Sequence, residues 1–242
     1  MRVLGLAWLG VFPERFHEMV GFLGDGVGLE RFHADDDVTM LRTERGDIVE
    51  VFRPAARYDF ATTGPVPGLC VDDVEGAVER LREAGVRLLG GTERWEEHAW
   101  QHFRAPDGNV WEVTSGPYRP DGPGRGLPWV GVRTARSAEM AAFARDVLGM
   151  RVVRAEGAIT ELAMENDDRL EVIDRSDGDH LFFEDAPVVA LEVPDVPASI
   201  PDLVQLGGEM VIETRRSDDG RAVWQHLRGP DGHLYEIISR AA

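Results

Sequence analysis

The sequence has very little cysteine: Cys70 stands alone among 242 residues. A single cysteine cannot form a disulfide within the chain, and such sparse use is typical of proteins in a reducing cytoplasm. Its neighbours, Gly68-Leu69 and Val71, are small or apolar, which indicates a buried thiol rather than a nucleophile. We therefore expect a cytoplasmic protein whose chemistry does not depend on cysteine.

Basic residues are also scarce. The chain has 26 Lys and Arg against 44 Asp and Glu, which gives a formal net charge of −18. Binding to nucleic acid needs a basic face, so the composition excludes a nucleic-acid partner. The negative charge permits a cationic ligand, although solubility alone is the simpler explanation of it.

Long apolar runs are lacking. The apolar stretch Val3–Phe12 is followed at once by Pro13-Glu14-Arg15, whereas a membrane-spanning helix needs roughly 20 residues. Only Arg2 precedes the stretch as a basic residue and no small-residue cleavage site follows it, so it does not resemble a signal peptide. We predict a buried first strand and no membrane partner.

What the chain does contain is a repeated segment. Trp100–Ser115 recurs as Trp224–Ser239, with nine of the sixteen positions identical. Each copy has an extended run, a Pro-Asp-Gly turn and a second extended run, which predicts a β-hairpin. The second run carries a lone glutamate between apolar residues, Glu112 or Glu236, and Glu50 and Glu171 have similar neighbours. A buried carboxylate is costly unless something compensates it.

The whole chain divides into four units of the order β-α-β-β-β. The first helix, for example, has Phe16, Met19, Val20 and Leu23 at helical spacing. Residues 118–126 are rich in turn formers and lack a periodic apolar pattern. We predict the α+β class with two domains, 1–117 and 127–242, joined by a linker at 118–126 and able to fold separately.

This plan resembles the vicinal oxygen chelate superfamily, which includes glyoxalase I, extradiol dioxygenases and bleomycin-resistance proteins. The resemblance is carried by the four units and by PDGN-x-x-E and PDGH-x-x-E, which close the second and fourth units. It implies that paired units form a strongly bent mixed sheet around a cup, with the helices outside and one cup in each half. Glu50 would then face Glu112, and Glu171 would face Glu236.

The resemblance also bears on metal binding. In metal-bearing members each unit supplies one ligand from its first strand and one glutamate from its last strand. The last-strand positions hold Glu50, Glu112, Glu171 and Glu236, whereas the first-strand positions fall near Leu6, Val66, Trp129 and Val188. Because the first-strand windows contain no His, Gln, Asp or Glu, we expect no cofactor, and the metal-dependent reactions of the family are in doubt. If a divalent metal does bind, the alternative site is Glu50, Glu112 and His102.

Each hairpin also carries a histidine ten residues before its glutamate, His102 before Glu112 and His226 before Glu236. If the turn pairs them directly, both side chains lie on one face of the sheet. Such a pair can exchange protons or bind a ligand, which makes these four residues the catalytic candidates. The other interpretation is purely structural, with a buried glutamate satisfied by its histidine.

Two functional hypotheses follow. The first is a protein that binds a small organic molecule, cationic or aromatic, in acidic cups lined by aromatic residues. The second is an enzyme of lyase, isomerase or dioxygenase type that uses the His–Glu pairs or an altered metal site. The candidate ligand-binding residues are Glu50, Glu171, Trp8, Trp100, Trp129 and Trp224. A chain with this repeat is either a monomer with two pseudo-symmetric domains or a homodimer.

Overall fold

The computed structural model describes residues 3–54, 66–70, 73–83, 85–106, 108–116, 126–178, 188–205, 208–230 and 232–240. The first unit consists of β1 (Gly5–Val11), α1 (Phe16–Gly21), a π-helical turn (Phe22–Val27), β2 (Glu30–Ala34), β3 (Val38–Arg42) and β4 (Ile48–Phe52). The second consists of β5 (Val66–Cys70), α2 (Val74–Glu83), β6 (Arg87–Trp95), β7 (His98–Arg104) and β8 (Val110–Ser115). The third consists of β9 (Trp129–Thr134), α3 (Ser137–Asp146), β10 (Arg151–Glu156), β11 (Ile159–Ala163) and β12 (Arg169–Asp174). The fourth consists of β13 (Val188–Glu192), α4 (Val196–Gln205), β14 (Glu209–Met210), β15 (Arg215–Arg216), β16 (Ala222–Arg228) and β17 (Leu234–Arg240).

The helices follow the apolar spacing of the sequence. In α2 the residues Val74, Ala77, Val78 and Leu81 lie on one face and are buried. Helix α4 contains Pro201 in its interior, where proline removes a backbone N–H donor. No helix in the described part of the chain is long and apolar enough to cross a bilayer.

Two mixed sheets confirm the predicted α+β class. Sheet I has the strand order β14-β16-β17-β13-β1-β4-β3-β2, with β15 also paired to β16. Sheet II has the order β10-β11-β12-β9-β5-β8-β7-β6. At the centre of each sheet two first strands run antiparallel, β1 with β13 and β5 with β9. Sheet I therefore joins the first and fourth units, and sheet II joins the second and third.

This pairing of units differs from the expectation of one cup in each half. Glu50 shares sheet I with Glu236, and Glu112 shares sheet II with Glu171, so both predicted glutamate pairs were wrong. The first strands are mainly apolar, and β1 and β9 are buried on both faces. Any two of them can pair, and the local pattern does not select which two do.

The hydrophobic core is shared by both halves. One continuous cluster of buried side chains includes residues from all four helices, among them Met19, Ala77, Met140 and Leu203. Within the first half, the rings of Phe22 and Phe103 pack between the first and second units, with centroids 5.9 Å apart. The halves therefore do not have separate cores.

A reciprocal polar contact adds to this joining, and we call Arg45, Asp47 and Asp168 the clasp. Asp47, in the turn before β4, accepts a hydrogen bond from the backbone N–H of Leu127 in the second half (2.9 Å). Asp168, in the equivalent turn before β12, accepts one from the N–H of Leu6 in the first half (2.9 Å). Arg45 Nη2 lies 3.5 Å from Asp47 and 3.7 Å from Asp168, and all three side chains are buried.

We expect the two halves to remain together after the chain is cut between residues 116 and 126. Separation would expose the shared core and break both central strand pairs, so the fragments should co-elute at the size of the intact chain in gel filtration. The same digest run in denaturant, where two fragments should separate, is the control. Fragments that separate in native buffer and keep their circular dichroism would instead support the prediction that the domains fold independently.

Candidate functional site

One face of sheet I brings together the side chains that we call cup I: Trp8, Glu50, Trp224, His226 and Glu236. Glu50 lies on β4 opposite Gly10 of β1, and the Trp8 indole occupies the place that a side chain at Gly10 would take. Glu236 on β17 is paired directly with His226 on β16. Apolar residues surround them, with Phe52, Leu234 and Ile238 buried beside Trp8. The cup is therefore an apolar surface that carries two carboxyl groups.

Glu50 is half-buried and accepts a hydrogen bond from Trp8 Nε1 at 2.8 Å. Burial disfavours the charged carboxylate and raises its pKa from 4.5 to about 7, against the lowering effect of the Trp8 hydrogen bond and of His33. At neutral pH the group is therefore divided between its two protonation states. A carboxyl with this pKa can donate a proton, accept one or bind a cation.

His226 and Glu236 form a buried pair with Nε2 and Oε2 3.1 Å apart. Burial raises the pKa of Glu236 well above its ordinary value, and the nearby Glu50 raises it further. Burial also lowers the pKa of His226 to about 4. The pair therefore favours a neutral imidazole and a protonated carboxyl, which avoids a buried charge.

The equivalent face of sheet II forms cup II, which contains His102, Glu112, Trp129, Arg154 and Glu171. His102 is paired directly with Glu112, their Nε2 and Oε2 atoms lie 3.0 Å apart, and both are buried. The His102 ring packs near that of Trp129 with centroids 6.4 Å apart. Burial lowers the pKa of His102 to about 4. The predicted cross-strand His–Glu pairing is thus confirmed in both hairpins, and a catalytic role for these pairs stays a prediction.

Cup II differs from cup I in carrying arginine. Arg154 Nη2 donates to Glu171 Oε1 at 2.8 Å, and Arg154 Nε lies 3.6 Å from Glu161 Oε2. Arg169 Nε lies 3.6 Å from the other oxygen of Glu161. The carboxylates on the third-unit side of this cup are therefore paired within the chain.

The four tryptophans also divide between the cups. Trp8 and Trp224 lie on sheet I, and Trp100 and Trp129 lie on sheet II. Trp8 and Trp129 are buried, while Trp100 and Trp224 are half-buried. A β-bulge at Ala7 turns Trp8 towards the cup in place of Leu6, which instead joins the main core. The first-strand position predicted near Leu6 is thus held by an indole.

The predicted alternative metal site was wrong in its composition. Glu50 lies on sheet I, while Glu112 and His102 lie on sheet II, so these three cannot share one ion. The donor set of cup I also fits a divalent ion poorly, because Glu50 accepts from the Trp8 indole, which can only donate, while His226 and Glu236 are paired with each other. Among the described residues, no group of three or more His, Cys, Asp or Glu could hold a metal.

From this donor set we expect less than one equivalent of Ni, Zn, Fe or Mn per chain after purification without chelator. Dialysis against EDTA should barely change the Tm, because we expect no bound ion that contributes to folding. Elemental analysis and a thermal melt measure both, with Mn²⁺ added back as the control. A tightly held ion whose removal lowers the Tm would contradict this expectation.

Sequence reasoning missed two residues near cup I. His33 Nε2 lies 3.2 Å from Asp35 Oδ2, and Asp35 Oδ1 accepts the N–H groups of Asp37 and Val38. His33 is in the same cross-strand row as Met40 and Glu50, so its side chain lies on the cup face. Its position in an exposed acidic segment gave no periodic signal, and only the strand register reveals it.

Comparison with known proteins identifies one family. The model of the Glyoxalase/Bleomycin resistance protein/Dioxygenase superfamily matches residues 2–113 and 126–237. Among solved structures, a glyoxalase I mutant from Zea mays is similar with a TM-score of 0.75 and 17% identity, covering 97% of this chain and 92% of that one. A suggested dioxygenase from Bacillus subtilis has a TM-score of 0.74 and 14% identity, covering 100% and 86%. A search of curated proteins found no match. The structural similarities establish the fold.

Proposed function

Because the chain belongs to the glyoxalase/bleomycin resistance protein/dioxygenase superfamily, we propose that it binds a small organic molecule in cup I, with the Glu50 carboxyl as the polar group that fixes the ligand. The observation that carries this proposal is the state of Glu50: half-buried among apolar side chains, held by the Trp8 indole and with its pKa raised to about 7. Ligand sites are typically apolar surfaces with a few placed polar groups of this kind.

The surroundings of Glu50 support an aromatic or cationic ligand. Phe12 and Phe52 stack with centroids 4.8 Å apart, and Trp8 meets Phe52 edge to face at 6.4 Å. Aromatic faces attract both planar groups and cations. Trp224 is half-buried beside the same cluster and completes the lining on the β16 side. This combination of aromatic walls and one adjustable carboxyl suits a ligand with a hydrogen-bond donor.

Glu50→Gln is expected to weaken the ligand found by screening by about 1.5–3 kcal/mol, which is the usual contribution of a hydrogen bond to a charged group. The fold should be retained because the amide has nearly the same shape and still accepts the Trp8 N–H. Isothermal titration calorimetry measures the change, and Glu171→Gln, at the matching position of cup II, is the control. Loss of binding in Glu171→Gln alone would move the site to cup II.

A specific observation also favours an enzyme of lyase, isomerase or dioxygenase type. A carboxyl with a pKa of about 7 is close to optimal for general acid or base catalysis at neutral pH. Glu50 could then exchange a proton with a bound substrate, while the buried His226–Glu236 pair would act as a polar wall. Turnover of a screened ligand that is lost in Glu50→Gln would favour this second function over binding alone.

A further inference from the structure

The two cups can be compared residue by residue because the first and third units have the same strand register. One cross-strand row passes through each cup at the level of the β4 or β12 glutamate. The row contains His33, Met40, Glu50 and Gly10 in sheet I, and Arg154, Glu161, Glu171 and Gly131 in sheet II. A bulge precedes both His33 and Arg154, so the two stand at equivalent positions on their edge strands.

In cup II this row is filled by the protein itself. The Arg154 side chain extends from β10 across β11 and donates to Glu171 on β12. Its side chain is 24% exposed and that of Glu171 is 13% exposed, so the guanidinium largely covers the carboxylate. Glu161 lies between two arginines, with one carboxylate oxygen near Arg154 and the other near Arg169. The two positive and two negative charges of this row and its neighbour therefore balance. A charged ligand would have to displace an existing ion pair to enter here.

In cup I no guanidinium stands at the position equivalent to Arg154. His33 is shorter than arginine and is held at the edge by Asp35, with 47% of its side chain exposed. Met40 stands where cup II has Glu161, and Ile48 stands where it has Arg169. Within the described part of the chain, Trp8 is the only hydrogen-bond donor to Glu50. The row in cup I therefore contains the Glu50 carboxyl but no guanidinium, whereas Glu171 in cup II is paired with Arg154.

Resting on the function proposed above, we propose that cup I binds the amidinium or guanidinium group of a small organic cation. This group would take the position that the Arg154 side chain takes in cup II, and cup II itself is closed to ligand. A planar cation with two parallel N–H groups matches the Glu50 carboxylate, whose two oxygens have about four lone-pair sites, one of them used by Trp8. The thioether of Met40 supplies a polarizable, uncharged floor, and Trp8 and Phe52 supply aromatic faces for the cation.

Benzamidinium is the probe, titrated into the intact protein by calorimetry at mildly alkaline pH, where Glu50 is ionised. Benzamide is the neutral control of the same shape. We expect one equivalent of benzamidinium to bind at least tenfold more tightly than benzamide, and Glu50→Gln to remove that preference.

His33→Arg is the decisive variant, since it places a guanidinium at the position equivalent to Arg154 on an exposed edge strand, where folding is not at risk. It should weaken benzamidinium at least tenfold, whereas His33→Gln, which removes the imidazole without adding a cation, should bind as the wild type does. Equal binding to His33→Arg and wild type would overturn the proposal.

The remaining outcomes separate this inference from the proposed function. Benzamide bound in cup I as tightly as benzamidinium would overturn the cationic ligand class and leave a hydrogen-bonding site at Glu50. Benzamidinium binding that survives Glu50→Gln but is lost in Glu171→Gln would show that cup II is open and overturn both statements. Absence of binding by either probe would overturn the inference, while a screened ligand lost in Glu50→Gln would still support the function.

Discussion

Asp168→Ala is expected to lower the free energy of unfolding by about 3–5 kcal/mol, the usual cost of removing one partner from a buried ion pair. Asp168 is fully buried and lies 3.7 Å from the buried guanidinium of Arg45. Its carboxylate also accepts hydrogen bonds from the N–H of Leu6 (2.9 Å) and from Asn166 Nδ2 (3.0 Å). Alanine leaves the two N–H donors without their acceptor and leaves the buried Arg45 with Asp47 as its one remaining carboxylate neighbour in the clasp. Urea unfolding followed by circular dichroism measures the loss.

Two further variants test whether burial in the clasp is the cause. Asp168→Asn keeps an oxygen for the Leu6 N–H and removes only the charge, so its cost should be smaller than that of alanine. Asp146→Ala, at an exposed carboxylate paired with Arg145, should leave the stability nearly unchanged. A change for Asp168→Ala as small as that for Asp146→Ala would show that the clasp does not stabilise the fold.

Glu50→Gln is expected to become progressively more stable than the wild type as the pH rises. The folded wild type holds the Glu50 proton up to a pKa of about 7, against an ordinary value of 4.5. This contribution to stability is therefore complete below pH 4.5 and is lost as the pH rises through 7. The glutamine variant does not titrate, so the difference in unfolding free energy should shift in its favour by about 2–3 kcal/mol between about pH 5 and about pH 8.

The comparison is made between variant and wild type at each pH because other groups titrate in the same range. The charged and titratable neighbours of Glu50 are His33 and Asp35 on the β2 side and Glu236 on β17. The buried histidines His102 and His226, with pKa values of about 4, make the fold less stable as the pH falls below their ordinary value of 6.5, equally in both proteins. A difference that does not vary with pH would show that Glu50 titrates as an exposed carboxyl.

Much of the fold could be predicted because its signals are local. The four units follow from the spacing of apolar residues, and the His102–Glu112 and His226–Glu236 pairs follow from the length of each hairpin around its turn. The order of the strands in the sheets could not be predicted in this way. It depends on which of the apolar first strands pair with each other, and those strands are far apart in the sequence. Nothing within β1 distinguishes β13 from β5 as its neighbour, and the structure selects β13.

The same limit applied to the candidate site. Glu50 was found from its apolar neighbours, but its true neighbour Glu236 lies at the other end of the chain and was assigned to another cup. The bulge that turns Trp8 towards Glu50 shifts the side-chain alternation by one residue, which a strict period of two cannot anticipate. Arg154 was missed because a charged residue on an edge strand is ordinarily a solvated one.

The crossed pairing of units has a consequence for how the two cups could change over time. A single repeat with this topology would present two half-sheets, and it could complete them only with a second copy, as in a two-fold symmetric homodimer. In such a dimer every substitution appears in both cups at once, so neither can alter without the other. Joining the copies in one chain removes that constraint and holds them at a high effective concentration. One cup can then acquire an internal ion pair, while the other keeps a carboxyl without a guanidinium partner, with no loss of the shared scaffold.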